Sequence, residues 1–166
     1  SVYVDPIICR ADIRRQLQRN LLLLYTGITR SADGILREQN DHLLTSNDTR
    51  LSLRRMVALA SDLRAALAAN DLNGFGEVLH TGWMHKKTLA SAISDSRIDA
   101  WYETARAHGA IGGKVLGAGG GGFLLLYVPV ERQPAVIGAL PELRPVAFRF
   151  EPQGSKIIYV EENGGG

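Results

Sequence analysis

Glycine is the residue whose spacing first suggests chemistry. The 166-residue chain carries 18 glycines, and eight of them fall in the fourteen positions from Gly109 to Gly122, where even spacing would place fewer than two. The densest part reads Gly117-Ala118-Gly119-Gly120-Gly121-Gly122. A backbone without side chains exposes its N–H groups and reaches positive φ without strain, which are the conditions for a concave anion site. The run formally matches G-x-G-x-x-G, a pattern whose meaning depends on the element it opens. A dinucleotide loop must open a helix, whose N-terminus then holds the pyrophosphate. Here the loop opens onto Phe123-Leu124-Leu125-Leu126-Tyr127-Val128, which is a strand pattern. A P-loop fails as well, because Gly113-Lys114 is followed by Val115 rather than Ser or Thr. A protein-kinase glycine loop does join two strands, yet the chain has no H-R-D or D-F-G partner. A plain hairpin turn, or a helix packed closely over the sheet, would need only one or two of these glycines.

Cationic side chains are the natural companions of an anion loop. Lys86 falls on an otherwise apolar helical stripe, where a lysine must either snorkel to water or meet an anion. A phosphate or a structural carboxylate would serve equally. Lys87 lies off that stripe and Lys114 at a strand end, and each also reads as a solvated charge. Thr26, Gly27 and Arg30 come after an apolar strand, where a site can form. Arg30 could grip a phosphate with two parallel hydrogen bonds or sit in a surface ion pair. His42, His80, His85 and His108 lack metal-ligand spacing, so no metal site is expected. Trp83 and Trp101 read as core, and no carboxylate stands out as a general base, so the catalytic residue is left unassigned.

Periodicity gives the elements that must position these residues. Leu21 to Tyr25 reads as a buried strand entering a turn at Thr26-Gly27. Ser31 to about Asn47 is more polar and in part helical. Leu53, Met56, Val57, Ala60, Leu63 and Leu67 predict a helix ending at Asn70-Asp71, with Asp71 capping the next. That second helix carries Phe75, Val78, Leu79, Gly82, Lys86, Leu89 and Ile93 on one stripe. A third begins with a Ser96/Asp99 capping box, turns Ile98, Trp101, Tyr102 and Ala105 inward, and stops at Gly109. Strands are then expected at Lys114–Leu116, Phe123–Val128, Val146–Phe150 and Lys156–Val160, with a short helix over Glu131–Leu140 and a turn at Pro152–Ser155. Val2 and Val4 suggest one more short strand. This is an α+β layer, a mostly antiparallel sheet of about four strands with helices on one face.

Composition excludes several classes of function. Hydrophobic residues are 45% and charged residues 22%, as in a packed domain rather than a disordered chain. The longest apolar run is six residues, Phe123 to Val128, which rules out a membrane-spanning helix. Nineteen basic residues against 17 acidic ones give no case for nucleic acid. The single cysteine, Cys9, has no internal disulfide partner and reads as an idle thiol, which together with the missing signal peptide leads to a cytoplasmic expectation.

Gly113-Lys114-Val115-Leu116 and the glycine run up to Phe123 closely resemble the third motif of the GHMP kinases, the superfamily of galactokinase, homoserine kinase and mevalonate kinase. Leu24-Tyr25-Thr26-Gly27-Ile28-Thr29-Arg30, Gly82-Trp83, Lys86-Lys87, Ile93-Ser94 and Ile98-Asp99 resemble the sugar-phosphate branch, with heptose 7-phosphate kinases and fucokinase-type domains the nearest kinds. The resemblance runs from Val2 to about Tyr159. It implies a ferredoxin-like C-terminal domain over residues 21–162 and a flexible tail at 163–166. Residues 1–20 would then be a boundary segment closing an N-terminal kinase half that is absent from the chain. It also implies phosphoryl transfer from ATP, with Mg2+, to a sugar-phosphate hydroxyl. The glycine loop and Lys114 would close the site against the nucleotide half, which would be the partner. The chain alone would be inactive and bind neither cofactor tightly. A non-catalytic module binding a phosphorylated metabolite or nucleotide is the alternative.

Overall fold

The computed structural model describes Ile7 and residues 9–29, 47–89, 93–117 and 121–151. The elements run α1 (Ala11–Asn20), β1 (Leu21–Tyr25), α2 (Asn47–Ala68), α3 (Leu72–Lys87), α4 (Ser96–Ala107), β2 (Gly112–Val115), β3 (Phe123–Tyr127), a 3-10 turn (Val130–Arg132), α5 (Gln133–Ala139) and β4 (Arg144–Pro145). The strands form one antiparallel sheet in the order β2-β3-β1-β4. This is the α+β architecture expected from the sequence. The expected strands at Val2–Val4 and Lys156–Val160, the turn at Pro152–Ser155 and the segment from Ser31 lie outside the described residues, apart from the start of α2.

The sheet is built around leucines. In the β1–β3 ladder Leu22 faces Leu126 and Leu24 faces Leu124, and all four are buried. Ile98, Tyr102 and Ala105 of α4, Val136 of α5 and Trp83 of α3 pack with them in the main core. Each large apolar side chain among these contributes roughly 1.5–3 kcal/mol on burial. A second cluster joins Leu17 of α1 to Leu72, Phe75 and Tyr127. Helix α1 was not expected, because its apolar residues, Ile13 and Leu17, make a stripe only one residue wide in a charged segment. Its end is pinned where the buried Asn20 amide donates to Tyr127 Oη at 2.8 Å.

Several local expectations are corrected. In α2 the inward stripe runs through Met56 and Leu63, whereas Val57 is 69% exposed. Helix α3 stops at Lys87, so Leu89 and Ile93 are buried from the connection beyond it. The cap of α4 is Asp95, which accepts from the N–H groups of Arg97 and Ile98, and Asp99 instead receives Lys87 and Ser94. Strand β2 starts at Gly112 rather than Lys114. The alternation at Val146–Phe150 does not make a strand. The ladder to β1 covers only Arg144 and Pro145, after which one bond runs from Val146 N–H to Leu23 O at 2.8 Å. Proline cannot donate and belongs on such an edge. The Asp71 cap and the Gly109 stop are as expected, with Asp71 Oδ1 accepting from Gly74 N–H and Gly109 at φ +117.

Helix α3 lies directly on β2. A Cβ on Gly112 would collide with the carbonyl of Gly76, and one on Gly76 would sit 2.8 Å from Ile111 and Tyr127. Gly112→Ala should therefore cost about 3 kcal/mol, the upper end of overpacking. Gly138→Ala, in α5 with open space around it, should be neutral or slightly stabilising. Urea midpoints of the two variants check this. Equal midpoints would mean that α3 does not approach β2 this closely.

Candidate functional site

The β2–β3 hairpin carries the glycine loop between its two strands. Val115 pairs with Leu124, and Leu116 N–H donates to Phe123 O at 2.9 Å before the chain leaves the ladder. Gly117 and Gly122 take φ +83 and +84, values that L side chains rarely adopt, so the loop enters and leaves on glycine for a backbone reason. Ala118, Gly119 and Gly120 lie outside the described residues, as does Arg30.

The far shoulder of the loop is clamped by the turn after β1. Gly122 O accepts from both the N–H and the hydroxyl of Thr26, at 2.9 and 3.0 Å. Gly122 N–H donates to Ile28 O at 2.7 Å, and Ile28 N–H in turn donates to Thr26 Oγ1 at 3.3 Å. Thr26 and Ile28 are buried, whereas Gly27 between them is exposed at φ +69. Gly121 must be glycine for a second reason, since a Cβ there would stand 2.6 Å from Ile28 O. Thr26 thus shapes the loop, and the Gly122 N–H is already committed within the fold.

The near shoulder is held by a cation. Lys86, in the last turn of α3, donates from Nζ to Gly117 O at 2.7 Å. Its neighbour Lys87 turns elsewhere, donating to Asp99 Oδ1 at 2.7 Å in a partly exposed ion pair. Lys114 sits partly buried on β2, with no ion-pair partner among the described residues. Burial, and then the charge of Lys114, hold the Lys86 ammonium below its ordinary pKa of 10.5. The structure therefore brings together Lys86, Gly117, Gly121, Gly122, Thr26 and Gly27, with Lys114 close enough to repel Lys86. It sends Lys87 to a different partner.

Two features beside the loop have no local signal in the sequence. The Tyr25 and Phe123 rings, the last pair of the β1–β3 ladder, lie 5.3 Å apart, and the Arg144 guanidinium stands 5.9 Å from the Tyr25 centroid. Their pairing depends on strand register, which local patterns do not give. Trp83 is buried as expected, and its Nε1 is the one buried side-chain donor among the described residues without an acceptor. Trp101 is only partly buried and donates to Glu142 at 2.6 Å. His80 is held by Tyr102 Oη at 2.8 Å, away from the loop, and burial lowers its pKa. Among the described residues no three His, Cys, Asp or Glu side chains cluster to hold a metal, and no helix is long and apolar enough to cross a membrane.

Comparison with known proteins gives this hairpin its context. Residues 63–143, from the second half of α2 to the end of the α5 connection, match the family model for the GHMP kinase C-terminal domain. Over those residues the chain is similar to a GHMP kinase C-terminal domain. It is 29% identical over 160 residues to the D-glycero-alpha-D-manno-heptose 7-phosphate kinase of Campylobacter jejuni, a match covering 93% of the chain and 46% of that protein. It is 34% identical to the L-fucokinase/L-fucose-1-P guanylyltransferase of Bacteroides fragilis, over 69% of the chain and 12% of that protein. The mevalonate kinase of L. major has the same fold, with a TM-score of 0.65 at 20% identity over 75% of the chain and 40% of that protein. The chain thus spans less than half the length of each of these relatives.

Lys86 gives the site a testable electrostatic signature. Its pKa is lower in the fold than in the unfolded chain. Between that lowered value and 10.5, the unfolded chain binds more protons, so the stability contributed at this position rises with pH. The stability of wild type minus that of Lys86→Met should therefore increase from pH 8 toward pH 10.5 in paired urea titrations. A difference that falls with pH would put a net negative environment around this ammonium.

Proposed function

We propose that this chain supplies the C-terminal, substrate-closing half of an ATP-dependent sugar-phosphate kinase acting on a heptose 7-phosphate or a closely similar sugar. The observation that supports it best is the glycine loop of a GHMP domain held at both shoulders, by Thr26 and Ile28 at Gly122 and by Lys86 at Gly117. The heptose kinase relative, matched along nearly the whole chain, supports the choice of acceptor.

In this reading ATP with Mg2+ supplies the γ-phosphoryl group, and an N-terminal half as partner brings most of the nucleotide contacts and the catalytic base. What this chain adds is placement and charge, on which phosphoryl transfer largely depends. Lys86 and Lys114 set two positive charges beside the loop. Lys86 keeps two further N–H donors for an anion while holding Gly117. The Thr26 clamp fixes the Gly122 end of the loop, which limits the reorganisation needed when charge develops near it. The chain alone is inactive in this reading, and a soluble cytoplasmic setting suits an ATP- and sugar-phosphate-dependent reaction.

ADP release with magnesium-ATP and a panel of sugar phosphates tests the proposal. The chain alone should show no sugar-dependent release. Adding the N-terminal half of a heptose kinase, in trans or fused, should give release that depends on heptose 7-phosphate. Lys86→Met in that assembly should lower kcat/KM by about 10–100-fold, a loss of roughly 1.4–2.8 kcal/mol. Turnover by the chain alone would place the nucleotide site and base among its own residues. Saturable sugar-phosphate binding with no turnover in any assembly would favour a non-catalytic binding module.

A further inference from the structure

Helices α2 and α3 do not close on each other completely. Between them lies a cavity of about 190 Å3, lined by Met56, Leu59, Leu63, Val78, Leu79 and Trp83. The size is informative, since an apolar cavity of roughly 150 Å3 is enough to bind benzene. The lining changes character at one end only, where Lys86 and Lys114 border the same space. No carboxylate among the described residues lines it. Lys86 meets only the Gly117 carbonyl, and Lys114 has no ion-pair partner, among the described residues. Two lysines bordering one apolar cavity, with no carboxylate lining it among the described residues, are an arrangement that an anion would relieve. Gly82 leaves room on the α3 side, with Leu59 Cδ1 the nearest atom to its missing Cβ, at 3.7 Å. Trp83, which lines the cavity, also carries the unsatisfied indole N–H.

We infer that the α2–α3 cavity is a binding site for a small amphipathic anion, with a ring-sized apolar body between the helices and a phosphate or carboxylate head between Lys86 and Lys114. Charge complementarity and volume select this occupant. A free inorganic anion would leave the apolar walls unused, and a neutral apolar molecule would leave the two lysines repelling each other. Such a ligand would draw on the ammonium that holds Gly117, so its occupancy is coupled to the near shoulder of the glycine loop. The inference shares Lys86 and Lys114 with the kinase reading, but neither a sugar nor a nucleotide enters its test, so the two can fail separately.

The probe is phenyl phosphate, with inorganic phosphate as the head alone and benzyl alcohol as the body alone. Trp101→Phe leaves Trp83 as the sole tryptophan, and its fluorescence reports occupancy. Phenyl phosphate should bind saturably, at least tenfold more tightly than either half. Lys114→Met should weaken it tenfold or more. Gly82→Leu, which fills the cavity, should reduce its affinity to that of inorganic phosphate. Equal affinities of wild type for phenyl phosphate and inorganic phosphate would overturn the inference, whatever the variants do. So would a phenyl phosphate advantage that survives Gly82→Leu.

Discussion

The close approach of α3 to β2 is the constraint on which the site depends. Gly76 and Gly112 meet backbone to backbone, and from that contact the two elements run in the same direction. Ten residues of helix from Gly76 to Lys86 advance roughly 15 Å at about 1.5 Å per residue. Five residues of extended chain from Gly112 to Gly117 advance roughly 16 Å at about 3.3 Å per residue. The two ends therefore arrive together, and Lys86 reaches Gly117 O without distortion. A bulkier residue at Gly112 would lift the helix from the strand and carry the lysine away from the loop. The six described glycines of the cluster thus divide into separate jobs. Gly109 ends a helix, Gly112 and Gly113 admit close packing, and Gly117, Gly121 and Gly122 shape the loop.

What the sequence made legible was whatever is local and periodic. The leucine run of β1, the Asp71 cap, the Gly109 stop and the glycine turn between two strands all show as patterns of a few adjacent residues. Helix α1 was illegible because its single-file stripe is weaker than the charges around it, and only packing against Leu72, Phe75 and Tyr127 makes it stable. The capping box at Ser96 misled by one residue, since Asp95 offers the better acceptor and Asp99 is taken by Lys87 and Ser94. The alternation Val146-Phe148-Phe150 has strand period, but β1 offers its edge to only two residues there, and period alone does not supply a partner.

The site itself was half legible. Lys86 drew notice because a charge on an apolar stripe must be answered, and the answer is a backbone carbonyl in the glycine loop. Thr26 was visible as a strand-end polar residue, but its bond to a residue 96 positions away is set by the β1–β3 register. The adjacent Lys87 shows the limit of type and proximity. About 100° of helix rotation separates it from Lys86, which turns it toward Asp99 on α4. Arg144 had no local signal at all and joins the Tyr25–Phe123 pair only because β4 lies beside β1.

A loop so rich in glycine carries a large conformational entropy, and ordering it at the moment of ligand binding would weaken that binding. The two shoulders answer this problem in different ways. Gly122 is fixed by neutral, partly buried hydrogen bonds, accepting from Thr26 and donating to Ile28 O, which do not depend on charge. Gly117 is fixed by one charged donor that burial and a neighbouring lysine make easier to neutralise. The far shoulder is therefore held without charge. The near shoulder is the one that an approaching anion can influence, because an anion between Lys86 and Lys114 stabilises the charge on which the Gly117 contact depends. The asymmetry places the electrostatic sensitivity of the loop at a single residue, Lys86, at the meeting point of α3, β2 and the cavity beneath α2.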